Sequence, residues 1–245
     1  MPTRLLIIDA HNVDMKLSEI LGHRPTASER PNTQALLNWA LQRAEPDHLV
    51  AAQFINTDVI KLANPKFTSW LWALAEQGFL VFTHPKDEAG EGDVDFDMLD
   101  FIKLMLEPPG DPAEIAVSAA MRRFVTRLVN PDWRGRVSEV MVASHDAQRF
   151  VEPLNELVER GIKVCLLGFV ERLMGWGQLQ DAKTFDLGLV EGVFNPPLVR
   201  TFDPRNSRAW LLRNWWPQPD GSFLQQRPLP PSAPGSGWPV VTTSS

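Results

Sequence analysis

Short apolar runs punctuate this chain, and between them apolar residues recur every three or four positions. The first run, Leu5-Leu6-Ile7-Ile8, closes at Asp9; the others are Leu49–Ile55, Phe79–Phe82, Val137–Ala143 and Ile162–Leu167. Such runs, bounded by turn formers, read as buried strands. Phe185-Asp186-Leu187 is a candidate short sixth strand. The helical spacings lie between them. Asn32 can cap a helix over roughly 33–44, with Leu36, Leu37, Ala40 and Leu41 on one face. Pro65 suits a helix start, and Phe67, Trp70, Leu71 and Leu74 form a stripe that ends before Gly78. The polar, glycine-bearing segment 84–95 is expected as a loop. A helix then follows over about 96–107, with Met98, Phe101, Ile102 and Met105 inward and Pro108-Pro109 as its stop. Further helices are expected over 112–129 and over 147–160, the latter ended by Gly161. Strands alternating with helices predict an α/β domain with a parallel sheet covered by helices.

The pattern changes after Pro196-Pro197. Residues 1–196 are expected to form the domain and 197–226, tryptophan-bearing but without a sustained period, an extension wrapped around it. Residues 227–245, rich in Pro, Ser and Gly, are expected to be a flexible tail. Composition adds limits. A chain of 245 residues that is 44% apolar can bury a sizeable core without disulfides. The single cysteine, Cys165, lies in a strand-like run and reads as a buried thiol rather than a nucleophile. No stretch approaches the length of a spanning helix, and the first apolar run is too short for a signal peptide, so a cytoplasmic location is expected. A net charge of -6 argues against a protein that coats nucleic acid non-specifically, though not against an enzyme that meets phosphates through bound cations.

In an open parallel sheet, ligands bind outside the carboxyl ends of the strands. The first strand exits into Asp9-Ala10-His11-Asn12, the third leads to Asp93-Val94-Asp95-Phe96-Asp97, and the fourth exits into Ser144-His145-Asp146. Carboxylates converging from three strand ends repel one another unless protonated or neutralised by a metal ion. Oxygen ligands suit Mg²⁺ or Mn²⁺, with phosphate and water completing the shell, which points to metal-dependent phosphodiester hydrolysis. Each residue also has a plainer reading. Asp9 and Asn12 could make a capped turn; Asp93, Asp95 and Asp97 suit a helix N-terminus; Asp146 could cap the helix at 147, with Ser144 as a turn residue. Dinucleotide, P-loop and nucleophile-elbow signatures are absent. A phosphoryl-acceptor reading of Asp9 lacks the second acid of an Asp-x-Asp pair, because His11 stands there. Arg122, Arg123 and Arg127 in the segment 113–129 suit phosphate contact, against a solvated helix face as the competing reading.

These residues carry a resemblance. Leu6–Asn12, Gly92-Asp93-Val94-Asp95, Val142-Ala143-Ser144-His145-Asp146, and Phe150 through Gly161 with Val164 together resemble the NYN domains of the PIN-like nuclease superfamily, over roughly residues 4–190. Asp-Val-Asp-x-Asp-Met-Leu at 93–99 and Leu167-Gly168-Phe169 resemble a bacterial branch of that family. The resemblance implies a three-layer α/β/α sandwich around a mainly parallel sheet of five or six strands. It also implies an acidic pocket that holds a divalent metal and cuts RNA. Asp9, Asn12, Asp95 and Asp146 match the family's motif positions. Two positions depart: His145 stands where glycine is usual, and Gln148 where a second aspartate is expected. Asp97 compensates, or the site takes one ion, or catalysis is lost.

The expected function is therefore a metal-dependent endoribonuclease. Asp9, Asp95 and Asp146 are its catalytic residues and, with Asp97, its Mg²⁺ or Mn²⁺ ligands. Asn12, Ser144 and His145 would position substrate, and Arg122, Arg123 and Arg127 would bind RNA. The alternative is a catalytically degenerate module that regulates by binding RNA or protein. Expected partners are single-stranded RNA and, through the C-terminal region, a second copy or another protein; no membrane is expected.

Overall fold

A computed structural model describes residues 2–42, 48–85, 94–109, 116–173, 179, 181–200, 215–217 and 220–225. Every strand read from the sequence is present. The elements run β1 (Thr3–Asp9), α1 (Ala10–Leu21), α2 (Thr33–Gln42), β2 (His48–Thr57), α3 (Val59–Leu62), α4 (Pro65–Glu76) and β3 (Phe79–Pro85). Then follow α5 (Asp95–Leu106), α6 (Ala119–Leu128), β4 (Val137–Ala143), α7 (Ala147–Glu159), β5 (Lys163–Gly168), β6 (Lys183–Asp186), β7 (Trp215–Pro217) and β8 (Ser222–Gln225).

One sheet takes them all, in the order β3-β2-β1-β4-β5-β6-β8-β7. The first six strands are parallel, and β8 and β7 add antiparallel to the β6 edge. Alternation along β1 assigns the two faces. Leu5 and Ile7 join a core with Met98, Phe101, Met121, Val125, Phe150 and Leu154 from α5, α6 and α7. Leu6 and Ile8 face the other way, into a core with Val13, Leu17, Leu36, Leu37 and Leu74 from α1, α2 and α4. Helices on both faces make a three-layer α/β/α sandwich, as expected. The switch from one face to the other follows β3, where the chain turns back across the sheet to lay β4 beside β1 on the side away from β2.

Three elements differ from expectation. Helix α1 begins directly at the end of β1, where a turn is equally compatible with Asp9 and Asn12; Val13, Leu17 and Ile20 at helical spacing bury its inner face. The helix expected over 112–129 begins, among the described residues, at Ala119. Ser118 is extended, and its hydroxyl oxygen accepts from the Met121 backbone N–H at 3.1 Å, an N-cap that sets the start. Residues 110–115 lie outside the described residues, as do 86–93 with Gly92 and Asp93. The loop expected over 84–95 is shorter at both ends, since β3 continues to Pro85 and α5 starts at Asp95. In the expected extension, the described strands β7 and β8 continue the sheet; 201–214 and the expected tail 227–245 lie outside the described residues. Cys165 is buried, its thiol donating to Glu139 Oε1 at 3.1 Å.

Candidate functional site

The strand order reverses between β1 and β4: the chain moves outward through β2 and β3 on one side and through β5 and β6 on the other. A reversal of this kind opens a crevice at the carboxyl ends of the two central strands, since their following segments depart in opposite directions. A cavity of about 290 Å³ lies there, lined by Asp9, His11, Asn12 and Met15, by Asn56, by Val94 and Asp95, and by Asp146 and Arg149. Asp9 ends β1, Asn56 is near the end of β2, Asp95 opens α5, and Asp146 and Arg149 flank the start of α7. The first turns of α1, α5 and α7 thus meet at one opening, each bringing backbone N–H groups and the positive end of its dipole. Carboxylates and phosphates are both favoured in such a place.

Local contacts fix these side chains. Asp9 is the N-cap of α1: its Oδ1 accepts from the Asn12 backbone N–H at 2.9 Å. The Asn12 side chain reaches across to β4, where its Oδ1 accepts from the backbone N–H of His145 at 2.8 Å and lies 3.0 Å from His145 Nδ1. Nε2 of the same ring accepts from the Phe169 backbone N–H at 2.8 Å. A backbone amide only donates, so Nε2 carries the lone pair and Nδ1 carries the proton given to Asn12. The imidazole therefore ties the exits of β1, β4 and β5 together, and it stacks on the Phe169 ring at 5.4 Å. Gly168 is required beneath it, because a Cβ there would come within 2.8 Å of both His145 Nε2 and Leu173 Cδ2. Burial foremost, then the charges of Lys16 and Arg172, push the His145 pKa down to about 3. His145 is a neutral brace.

Asp9, Asn12, Asp95 and Asp146 of the expected site residues line the cavity. Asp97 is not among the residues lining that cavity, and its Oδ2 pairs with His84 Nδ1 near the end of β3. Ser144 is buried, and its hydroxyl oxygen accepts from the Asp146 N–H at 3.2 Å, so it shapes the turn after β4. Arg123 and Arg127 line a separate groove of about 420 Å³ beside Val81, Phe82 and Thr83 of β3, with Phe124 and Leu128. Arg122 is not among the residues lining that groove. The side chain of Gln148 lies outside the described residues.

Nothing in the sequence pattern singles out Arg149 or Phe96. Arg149 Nε is 3.7 Å from Asp95 Oδ2, and the guanidinium carbon lies 4.6 Å from the centroid of the Phe96 ring. A cation beside three cavity-lining carboxylates offsets part of their repulsion. The donor chemistry, all oxygen, fits a hard divalent cation. The arrangement fits less closely: among the described residues, no three His, Cys, Asp or Glu side chains are grouped so as to hold an ion.

Compared with known proteins, the chain matches no family model and no curated protein. A solved structure from Vibrio parahaemolyticus, a protein of unknown function, is similar to 79% of this chain and 95% of its own at a TM-score of 0.46 and 17% sequence identity.

Proposed function

We propose that the chain is a metal-dependent endoribonuclease acting on single-stranded RNA at the crevice between β1 and β4. One observation carries this reading: Asp9, Asp95 and Asp146 arrive from three different strand exits and line one cavity where three helix N-termini meet. Asp9, Asp95 and Asp146 would hold Mg²⁺ or Mn²⁺, which when bound would supply Lewis-acid chemistry for phosphodiester hydrolysis. The protein's own contribution is orientation. Asn12 and His145 lock the exits of β1 and β4 at a fixed spacing, and the cap bond from the Asn12 N–H to Oδ1 fixes the Asp9 carboxylate at the start of α1, where the residue lines the cavity. Because the described carboxylates are not already grouped around an ion, cation binding has to draw them together. Weak affinity for the free cation is therefore expected.

A second reading has its own support. Arg149 already stands beside Asp95, and Gln148 replaces an expected acid, as in a module that binds RNA or a protein without cutting. Among the described residues no helix is long and apolar enough to cross a membrane; the cytoplasm is the proposed compartment. The deciding measurement is cleavage of a labelled single-stranded RNA with Mn²⁺, Mg²⁺ or EDTA, run beside Asp9→Asn. Metal-dependent cutting lost in the variant supports the enzyme. Binding without cutting in the wild type leaves the regulator.

A further inference from the structure

We infer that Phe96 and Arg149 form a nucleotide platform at the mouth of the crevice, the ring stacking a base and the guanidinium taking the adjoining phosphate. The inference rests on the reading that the crevice receives a nucleic-acid strand. Four of the apolar residues of α5, Met98, Phe101, Ile102 and Met105, are buried in the core, whereas Phe96 is 59% exposed. Helical phase explains the difference: position 96 lies about 200° from position 98 around the axis. Single exposed apolar residues are common and need no explanation by themselves. This one differs in its neighbours. It follows Asp95, a cavity residue, and its face is covered by the guanidinium of Arg149, a second cavity residue on another helix.

That pairing does two things. The ring holds the guanidinium by a cation–π contact, so the positive charge is stationed between Asp95 and open solvent. With the guanidinium over one face and the residue 59% exposed, the remaining ring surface is what a base would stack on. A base has a π-face whatever its identity, and a flat aromatic next to a phosphate-binding cation is the usual means of gripping single strands without reading sequence. Double-stranded RNA keeps its bases stacked inside and cannot use such a rim. The ligand class is thus an unpaired nucleotide within a strand, recognised by stacking and one phosphate.

The test needs no cleavage, since neither contact involves a metal. Fluorescence anisotropy in EDTA would compare a labelled single-stranded oligoribonucleotide with an abasic ribose-phosphate strand of equal length, for the wild type, Phe96→Leu and Arg149→Gln. Thermal melting would confirm that each variant is folded. The wild type is expected to bind the base-bearing strand about 10-fold more tightly than the abasic one, in line with stacking on a single aromatic. In Phe96→Leu the base-bearing strand should fall to the affinity of the abasic strand. Arg149→Gln should weaken both strands and lower the salt slope by about one phosphate. Equal binding of the two strands by the wild type, no binding of either, or undiminished discrimination in Phe96→Leu would each overturn the platform. A wild type that discriminates bases in EDTA yet cuts nothing with Mn²⁺ would overturn the nuclease and keep the platform.

Discussion

Proton uptake by His145 is opposed on every side: the residue is 7% exposed, its Nε2 lone pair is committed to the Phe169 amide, and Lys16 and Arg172 add positive charge nearby. Its pKa is lowered from an ordinary 6.5 to about 3 in the folded chain. The unfolded chain therefore binds a proton that the folded chain refuses, and the stability this residue supplies is present above pH 6.5 and lost as pH falls toward 3. The slope is at most about 1.4 kcal/mol per pH unit. Melting curves at several pH values should show Tm falling between about pH 6 and pH 5, before ordinary carboxylates titrate. His145→Gln should be less stable at neutral pH by about 1 to 3 kcal/mol, from the lost partner of a buried donor, but flatter across that window. An equal slope in both proteins would disprove the account. Asp9 allows a cleaner separation of roles. Asparagine caps a helix as well as aspartate does, so Asp9→Asn should leave Tm nearly unchanged while removing the carboxylate. Asp9→Ala loses both, at about 1 kcal/mol. If Asp9→Asn melts as low as Asp9→Ala, the charge itself is structural, and the proposed metal role loses its support.

At the level of elements, what could be read from the sequence was what repeats. Met98, Phe101, Ile102 and Met105 recur at helical spacing, and all four are buried on α5; the apolar run Val140–Ala143 is the buried end of the central strand β4. Helix α1 has equally good spacing in Val13, Leu17 and Ile20, but β1 passes into it without a loop, and Asp9 with Asn12 imitates a turn. The Asn12–His145 brace was not legible because its partners are 133 positions apart and nothing local marks them. Arg149 is illegible for a related reason: as one polar residue on an amphipathic helix, it is notable only once α5 brings Phe96 and Asp95 beside it. The three arginines of α6 separate in the same way. Arg123 and Arg127, one turn apart, share the groove along the β3 edge, while Arg122 is not part of its lining. If RNA follows that groove, the pair Arg123→Gln and Arg127→Gln should weaken binding and reduce the salt slope by about 2, one for each lost phosphate contact. Arg122→Gln should change little. A salt slope indifferent to the double substitution would exclude the groove as the RNA path.

Across the whole molecule, the order of strands places the site and also sets its vulnerability. The crevice lies in the sheet between β1 and β4, so its geometry depends on the strands to either side keeping their places. At the far end the last parallel strand, β6, is only four residues long and is covered by β8, which pairs Thr184 with Phe223 and Phe185 with Ser222. Lys183 and Asp220 clamp this join at 2.5 Å, and Arg200 pairs with Asp186 and Glu171, tying the chain after Pro197 to the exits of β5 and β6. An uncovered strand edge offers unpaired backbone groups to any other chain. Two truncations should then behave differently. Ending the chain after Gln226 keeps β8 in place and removes a segment with five prolines and few large apolar side chains, so Tm should hold within about 1 °C, a change well under the several degrees that 1 kcal/mol produces. Ending it after Arg200 removes β7, β8 and Asp220 but leaves the Arg200 pairs, exposing β6. That variant should melt several degrees lower and associate as its concentration rises, seen by scattering or by sedimentation. A monomer of unchanged Tm after the second truncation would mean that β7 and β8 contribute nothing to the edge they cover.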